Sequence, residues 1–306
     1  MQSAWMEHAP IGKNVTLIFY REILMQYEYI EVKTKQNIFL NGFYAKGGNK
    51  SCVLFVPGFA GNFMENKFAR VLVEECFKNK MDAVFAHNQG SSQVMSFPCL
   101  KADGTISSVV RGAAYEHLED CVYDLDAWFD FVKDYESVYL IAHSLGCNKV
   151  VHYLRDHKPT NLKKVVLLAP QDNAGFFDLP MHAGMVDEAK ENIKAGWADR
   201  LLTKKMFGCL VMSSATCLNF ISHPEFNNIP YKTANGDMPM LREITWPTLV
   251  VIGSQESEQA EVCMQKVAMA LPRGQYAVIP NANHLFKNQE KALANRVVEF
   301  LKEFDF

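Results

Sequence analysis

The sequence has no long hydrophobic run, no large excess of charge of either sign and no recognisable leader. No apolar stretch in the 306 residues reaches the roughly 18–20 residues that a membrane-spanning helix needs, so we expect no stable membrane insertion. The net charge of -3 gives no reason to expect nucleic acid or an anionic membrane as a partner. Residues 1–10 contain no apolar signal core, so the sequence predicts no secretion signal and a cytoplasmic location.

Paired cysteine motifs and metal-ligand spacings are also missing. None of the eight cysteines forms a C-x-x-C pair, and several lie in apolar runs, so we expect reduced, buried thiols. The nine histidines show no metal-ligand spacing with a carboxylate or cysteine nearby. The glycine-rich stretch 57–62 lacks the Gly-Lys-Ser/Thr ending of a phosphate-binding loop. The sequence therefore predicts neither a metal nor a cofactor.

The chain does contain a regular alternation of short apolar strands and amphipathic helices. Hydrophobic residues make up 49% of it and charged residues 21%, which suits a globular protein with one large core or two modest ones. Residues 27–33 and 38–45 are predicted to form a hairpin, and continuous apolar runs predict strands that are covered on both faces. These runs are 52–56, 82–86, 138–142, 164–169, 248–253 and 275–279. The alternation predicts an α/β fold, a mostly parallel central sheet with helices on both faces.

The alternation stops between residues 173 and 246, where helical pieces and loops rich in methionine and aromatic residues replace the strands. We interpret this segment as a helical cap inserted into a core formed by residues 1–172 and 247–306. Within the core, residues 93–112 are predicted to be an irregular loop and 113–132 one long helix.

The apolar run that begins at Val138 ends at Ser144, and a helical pattern follows. Strand, sharp turn and helix with a serine at the apex are typical of a nucleophile elbow, which requires small residues two positions before and after the serine. Ala142 and Gly146 meet that requirement. The side chain of His143 should point away from the serine. The alternative is an ordinary strand-to-helix turn with a helix-capping serine.

Other chemically useful side chains follow other predicted strands. In parallel α/β sheets, functional groups gather at the carboxyl ends of the strands. Glu256 and Glu258 follow the 248–253 strand, and His284 follows the last one. The chain order serine, acid, histidine is the order that accompanies a nucleophile elbow.

These residues suggest a hydrolytic site with a serine nucleophile, a histidine base and an orienting carboxylate. A serine hydroxyl is a weak nucleophile until a base takes its proton, and His284 would be that base for Ser144. A carboxylate would orient the imidazole and stabilise its cationic form. The backbone N–H groups of Leu145, directly after the serine, and Phe59, in the glycine-rich stretch, are the candidates for binding a developing oxyanion.

Four motifs in this order resemble the α/β-hydrolase superfamily, and the resemblance covers nearly all of residues 27–306. They are the oxyanion turn Pro57–Asn62, in which Pro57 replaces the usual histidine, the loop Asn88–Ser92, the acid-bearing strand Trp246–Gly253 and the histidine loop Asn281–Phe286. Within the superfamily, the chain is most similar to capped esterase and lipase-like members.

The resemblance implies the position of the acid and the class of reaction. The family usually has an aspartate three residues after the strand's glycine, and Glu256 occupies that place, with Glu258 and Asp172 as alternatives. It implies hydrolysis of a small-molecule carboxylic ester through an acyl-Ser144 intermediate, without a metal or other cofactor. Thioesterase, lactonase, peptidase and acyltransferase activities would use the same triad, and a ligand receptor with little turnover is a further alternative.

The cap indicates the type of substrate. Some of its large apolar residues should form the cap's own core, and the others should face the Ser144 cleft. We therefore expect small to medium esters with apolar or aromatic parts. The residues concerned are Phe176, Phe177, Met181, Met185, Trp197, Phe207, Met212, Phe220, Phe226, Tyr231, Met238 and Met240.

Overall fold

The computed structural model describes the backbone of residues 15–18 and the whole of residues 25–232 and 237–303. The strands in these ranges are β1 (Val15–Ile18), β2 (Met25–Lys33), β3 (Phe39–Ala45), β4 (Ser51–Val56), β5 (Asp82–Ala86), β6 (Met95–Leu100), β7 (Ile106–Arg111), β8 (Ser137–His143), β9 (Leu162–Leu168), β10 (Thr248–Gly253) and β11 (Gly274–Ile279). The α-helices are α1 (Lys67–Lys78), α2 (Cys121–Phe131), α3 (Leu145–Asp156), α4 (Met185–Lys194), α5 (Ser214–Ser222), α6 (Ala260–Ala270) and α7 (Glu290–Lys302). None of these helices has the length and apolar character needed to cross a membrane.

One sheet runs through the described part of the chain in the order β1-β2-β3-β5-β4-β8-β9-β10-β11. The strands β1, β2 and β3 are antiparallel to their neighbours at one edge. From β5 to β11 every neighbouring pair is parallel. The structure therefore confirms the predicted α/β fold with a mostly parallel central sheet.

Helices cover both faces of this sheet. On one face, Leu54 and Leu140 pack in a cluster with side chains of α2, α3 and α6. On the other face, Phe55 and Ile141 pack in a cluster with side chains of α1 and α7. Because β4, β5, β8, β9 and β10 are buried on both sides, their sequences are continuously apolar instead of alternating.

The prediction of an irregular loop at residues 93–112 was wrong, because β6 and β7 pair there as an antiparallel hairpin outside the main sheet. Phe97 is buried, but most of its neighbours in the hairpin are half-buried or exposed. Pro98 lies within β6, and proline in a sequence argues against a central strand. The hairpin therefore lacks the apolar run that revealed the buried strands.

The single long helix expected at 113–132 is also corrected. Two short 3₁₀ turns, at 113–115 and 118–120, precede α2. Between them the backbone of Glu116 is extended, with φ -74° and ψ 140°. Its side chain forms an ion pair with Lys149 of α3, and this inward contact takes the place of a continuous helix.

The segment 173–246 leaves the sheet after β9 and returns at β10. Its described residues form α4, α5 and 3₁₀ turns, and none of them belongs to the central sheet. Residues 176–217 supply a small apolar cluster of their own. In contrast, Ile229 and Leu241 are buried in the main core beside α3 and α6. The separately packed part of the segment therefore spans residues 176–217, and the division of the chain at 173 and 246 stays a prediction.

Lys149 of α3, the helix that follows Ser144, forms a buried ion pair with Glu116. Lys149 exposes 1% of its side chain and Glu116 exposes 3%. Asp124 lines the same small cavity as Lys149, and burial raises the pKa of its carboxyl to about 7. Removing one member of such a pair leaves an uncompensated charge in the interior, whereas replacing both by apolar side chains does not.

We predict that Lys149→Met lowers the free energy of unfolding by about 3–5 kcal/mol, because Glu116 is left buried without its counter-ion. The double variant Lys149→Met/Glu116→Leu should recover most of that loss. Urea denaturation measures both. Lys133→Met, which removes an exposed ion pair with Asp130, serves as the control and should leave the midpoint unchanged. A double variant no more stable than Lys149→Met would contradict the prediction.

Candidate active site

Ser144 lies at a strained backbone turn between β8 and α3. Its φ is +54° and its ψ is -128°, a conformation that non-glycine residues rarely adopt. A side chain at Gly146 would place its Cβ 2.7 Å from the carbonyl oxygen of Pro57, so only glycine fits two residues after the serine. Ala142, two residues before it, is fully buried. The predicted elbow geometry is present, and the single methyl group of Ala142 is accommodated.

His284 lies on the loop after β11 and joins two of the predicted residues. Its Nε2 is 3.0 Å from the Oγ of Ser144, and its Nδ1 is 2.6 Å from Oε2 of Glu256. An ionised carboxylate only accepts hydrogen bonds, so Nδ1 carries the ring proton of a neutral His284. Its Nε2 is then free to accept the proton of the Ser144 hydroxyl.

Glu256 is the one of the three candidate acids that contacts His284 within the described part of the chain. The N–H of Gly253 also donates to its carboxylate, at 3.2 Å, which fixes the side chain in the turn after β10. Asp172 instead accepts hydrogen bonds from the backbone N–H groups of Ala174 and Lys232. Glu258 is exposed to solvent. The structure thus brings Ser144, His284 and Glu256 together and leaves the two alternatives aside.

The turn Pro57–Asn62 packs directly against the elbow. A Cβ on Gly58 would lie 2.7 Å from the Cβ of Ser144, so the two backbones approach as closely as glycine allows. The N–H groups of Phe59 and Leu145 donate to no acceptor among the described residues. That of Leu145 opens α3, where backbone donors lack helical partners and the helix dipole favours negative charge.

The loop after β5 holds this turn in place. The side-chain amide of Asn88 donates to the carbonyl oxygen of Pro57 at 3.1 Å, and its oxygen accepts the N–H of Gly90 at 2.9 Å. The N–H of Ala60 in turn donates to the carbonyl of Gly90 at 3.2 Å. Sequence reasoning noted the Asn88–Ser92 loop as a motif but did not foresee that Asn88 supports the oxyanion turn.

Half-buried aromatic rings extend from the oxyanion turn into the 173–246 segment. The ring centroids of Phe59 and Phe220 are 5.7 Å apart, and those of Phe220 and Phe177 are 6.5 Å apart, both nearly perpendicular. The other aromatic and methionine residues of this segment divide between its own core, the main core and the surface. Trp197, for example, is 55% exposed.

No group of three or more histidine, cysteine or acidic side chains in the described ranges is arranged to hold a metal ion. The expectation of a site without metal or cofactor stays a prediction.

Comparison with known proteins finds one family profile that matches part of the chain and many solved structures with a similar fold. A family profile described as serine hydrolase matches residues 114–206, which include Ser144. A comparison with curated protein sequences finds no match. Among solved structures, an esterase of Pyrococcus furiosus shares 16% identity over 91% of each chain, with a TM-score of 0.52.

Two further structures have similar overlap. Est1E from Butyrivibrio proteoclasticus, solved with ferulic acid bound, shares 14% identity over 89% of this chain and 97% of its own, with a TM-score of 0.59. The dienelactone hydrolase of Anabaena variabilis shares 12% identity over 90% and 97%, with a TM-score of 0.54. Identities this low establish the architecture alone: the chain has the α/β-hydrolase fold.

We predict that Ser144 reacts covalently with a fluorophosphonate probe, because its Oγ lies 3.0 Å from Nε2 of His284, which can take its proton. Peptide mass mapping should locate the label on Ser144. Labelling should be lost in Ser144→Ala and slowed at least about 100-fold in His284→Ala. Ser96→Ala, in the surface hairpin, is the matched control and should label normally. A label that persists in Ser144→Ala would contradict the prediction.

Proposed function

We propose that this chain is a serine hydrolase that cleaves carboxylic esters through a covalent acyl-Ser144 intermediate, without a cofactor. The observation that carries the proposal is the continuous line of hydrogen bonds from Glu256 through His284 to Ser144. It ends at a strained turn beside two backbone N–H groups that have no described acceptor. Nucleophile, base, orienting acid and oxyanion donors are the complete set of groups that acyl transfer requires.

In the acylation half of the reaction, the ester carbonyl oxygen binds the N–H groups of Phe59 and Leu145. Oγ of Ser144 bonds to the carbonyl carbon while its proton passes to Nε2 of His284. The oxyanion that forms is stabilised by the two N–H groups, and Glu256 stabilises the imidazolium through Nδ1. Collapse of this intermediate breaks the bond to the alcohol oxygen, which takes the proton from His284 and leaves.

Deacylation uses the same groups, with water as the nucleophile and Ser144 as the leaving group. A water molecule gives a proton to Nε2 of His284 as its oxygen bonds to the acyl carbon. The second oxyanion occupies the same pair of N–H groups. The bond to Oγ of Ser144 then breaks, the serine recovers its proton from His284, and the carboxylic acid is released.

Hydrolase activity in the broad sense is supported by the serine hydrolase profile and by esterases and a dienelactone hydrolase among the similar folds. The choice of a carboxylic ester rests on the site. The described residues bring no cationic side chain into contact with Ser144, His284 or Glu256, whereas phosphoryl groups are usually bound by arginine, lysine or a metal.

We further propose that the 173–246 segment acts as a cap that selects apolar or aromatic substrates of small to medium size. Phe59, Phe177 and Phe220 form a half-buried aromatic surface that begins at the oxyanion turn itself. Ligand sites are mostly apolar with a few placed polar groups, and aromatic rings supply large contact areas. An acyl or alcohol group held against this surface would leave the ester carbonyl beside Ser144.

For the acid, we predict that Glu256→Gln lowers kcat about 10³- to 10⁴-fold, because an amide can no longer hold His284 in the productive tautomer or stabilise its cation. Steady-state hydrolysis of p-nitrophenyl butyrate measures the loss. Glu258→Gln makes the same change two residues away on an exposed side chain, and we expect near-normal activity. Equal effects of the two substitutions would contradict the assignment.

For the substrate, we predict that kcat/KM rises from p-nitrophenyl acetate to the butyrate and hexanoate esters. Each methylene buried against the aromatic surface contributes up to about 0.8 kcal/mol, which is up to about fourfold in rate. Phe220→Ala should reduce this rise, whereas Trp197→Ala, which removes an exposed ring of the same segment, should preserve it. A flat or falling series in the unmodified protein would show that no apolar acyl pocket exists.

A further inference from the structure

The residue before the nucleophile, His143, is buried and contacts the loop that carries the proposed base. It ends β8, exposes 4% of its surface, and lies with its ring centroid 4.7 Å from that of Phe68 and 4.9 Å from that of His284. Its Nε2 is 2.9 Å from the backbone carbonyl oxygen of His284. Its side chain therefore points away from Ser144, as expected, and toward the backbone of His284, the proposed base.

The direction of this hydrogen bond is fixed by its partner. A carbonyl oxygen only accepts, so Nε2 of His143 must carry a proton. Burial, together with the neighbouring His284 ring, lowers the pKa of His143 to about 3, so the imidazole is neutral in ordinary buffers. His143 is thus a neutral donor of one fixed tautomer, enclosed among aromatic rings.

The loop that receives this hydrogen bond is short and strained. Asn281, Phe286 and Asn288 all have positive φ angles, between 51° and 63°, although none is glycine. Within the described residues, the His284 carbonyl accepts from no other donor. The His284 side chain is 41% exposed, so its ring is not enclosed by packing on all sides. Gln255 and Ser254 hold the loop at Ala282 and Asn281, and the contact from His143 is the one hydrogen bond among the described residues that reaches the backbone of His284 itself.

We infer that His143 is a positioning residue: its Nε2–H holds the His284 backbone so that the His284 ring meets Ser144 and Glu256 at the same time. The inference rests on the proposed function, because it acts through the proposed base. Catalytic groups displaced by about 1 Å can lose about 100-fold in rate. Loss of the donor should therefore lower kcat and leave KM nearly unchanged, since His143 does not touch the substrate.

Three replacements of His143 separate the donor from the rest of the side chain. Phenylalanine keeps a ring but has no donor, and we expect kcat for p-nitrophenyl butyrate to fall about 10- to 100-fold. Glutamine can place an N–H near the former Nε2 and should restore most of the activity. Asparagine is polar but one bond shorter, so its N–H does not reach the carbonyl and its loss should resemble that of phenylalanine.

A matched control exists at the other end of α3. The ring of His157 also bonds to a backbone carbonyl, that of Tyr153 at 3.1 Å, but far along the helix from Ser144. His157→Phe should leave kcat within about twofold of the unmodified protein. Melting temperatures of all variants show which ones are folded, and if His143→Phe does not fold, the comparison of glutamine with asparagine decides.

The decisive measurement introduces the His143 substitutions into the His284→Ala variant, which lacks the proposed base. In His284→Ala, adding His143→Gln or His143→Asn should cause no further loss of residual activity, because there is no ring left to aim. A further loss, equal kcat values for folded Gln and Asn variants, or an unchanged kcat in folded His143→Phe would each overturn the inference. If Ser144→Ala and His284→Ala were both fully active, the proposed function itself would fail, which is a different result.

Discussion

The close approach of two backbones, the turn Pro57–Asn62 and the elbow at Ser144, is the constraint on which the rest of the site depends. The strands β4 and β8 that carry them are parallel neighbours, and their register pairs Val56 with Ala142 at the carboxyl ends. Glycine at positions 58 and 146 then lets the chains meet without a side chain between them. This contact holds the serine in its strained conformation and sets the Phe59 and Leu145 N–H groups beside it.

The parts of the fold that were visible in the sequence are those that are buried on both sides. Continuous apolar runs revealed the inner strands, and the residues after them, Ser144 and His284, could be located because strand ends gather at one edge of the sheet. Choosing among Glu256, Glu258 and Asp172 needed the family resemblance, since all three follow buried strands. In the structure, the side-chain geometry distinguishes Glu256 from the other two through its 2.6 Å contact with His284.

What the sequence could not reveal depends on contacts between distant residues. The ion pair of Glu116 with Lys149 joins positions 33 residues apart, and nothing in the local pattern distinguishes Glu116 from a residue on a solvated helix. The hydrogen bond from His143 to the His284 carbonyl spans 141 residues. The position of His143 beside Ser144 in the sequence does not identify its partner, because the order of the strands brings the end of β8 and the loop after β11 together.

The path of the chain between β9 and β10 separates the proposed reacting groups from the proposed cap. These two strands pair directly, with Val165 opposite Thr248, although the whole 173–246 segment comes between them in the sequence. The pairing of β9 with β10 therefore does not depend on residues 176–217, which pack in a cluster of their own, whereas Ile229 and Leu241 belong to the main core. A different sequence of another length could replace residues 176–217 while the residues that pack beside α3 stay in place. If the proposed function holds, this arrangement lets substrate preference diverge while Ser144, Glu256 and His284 keep their places.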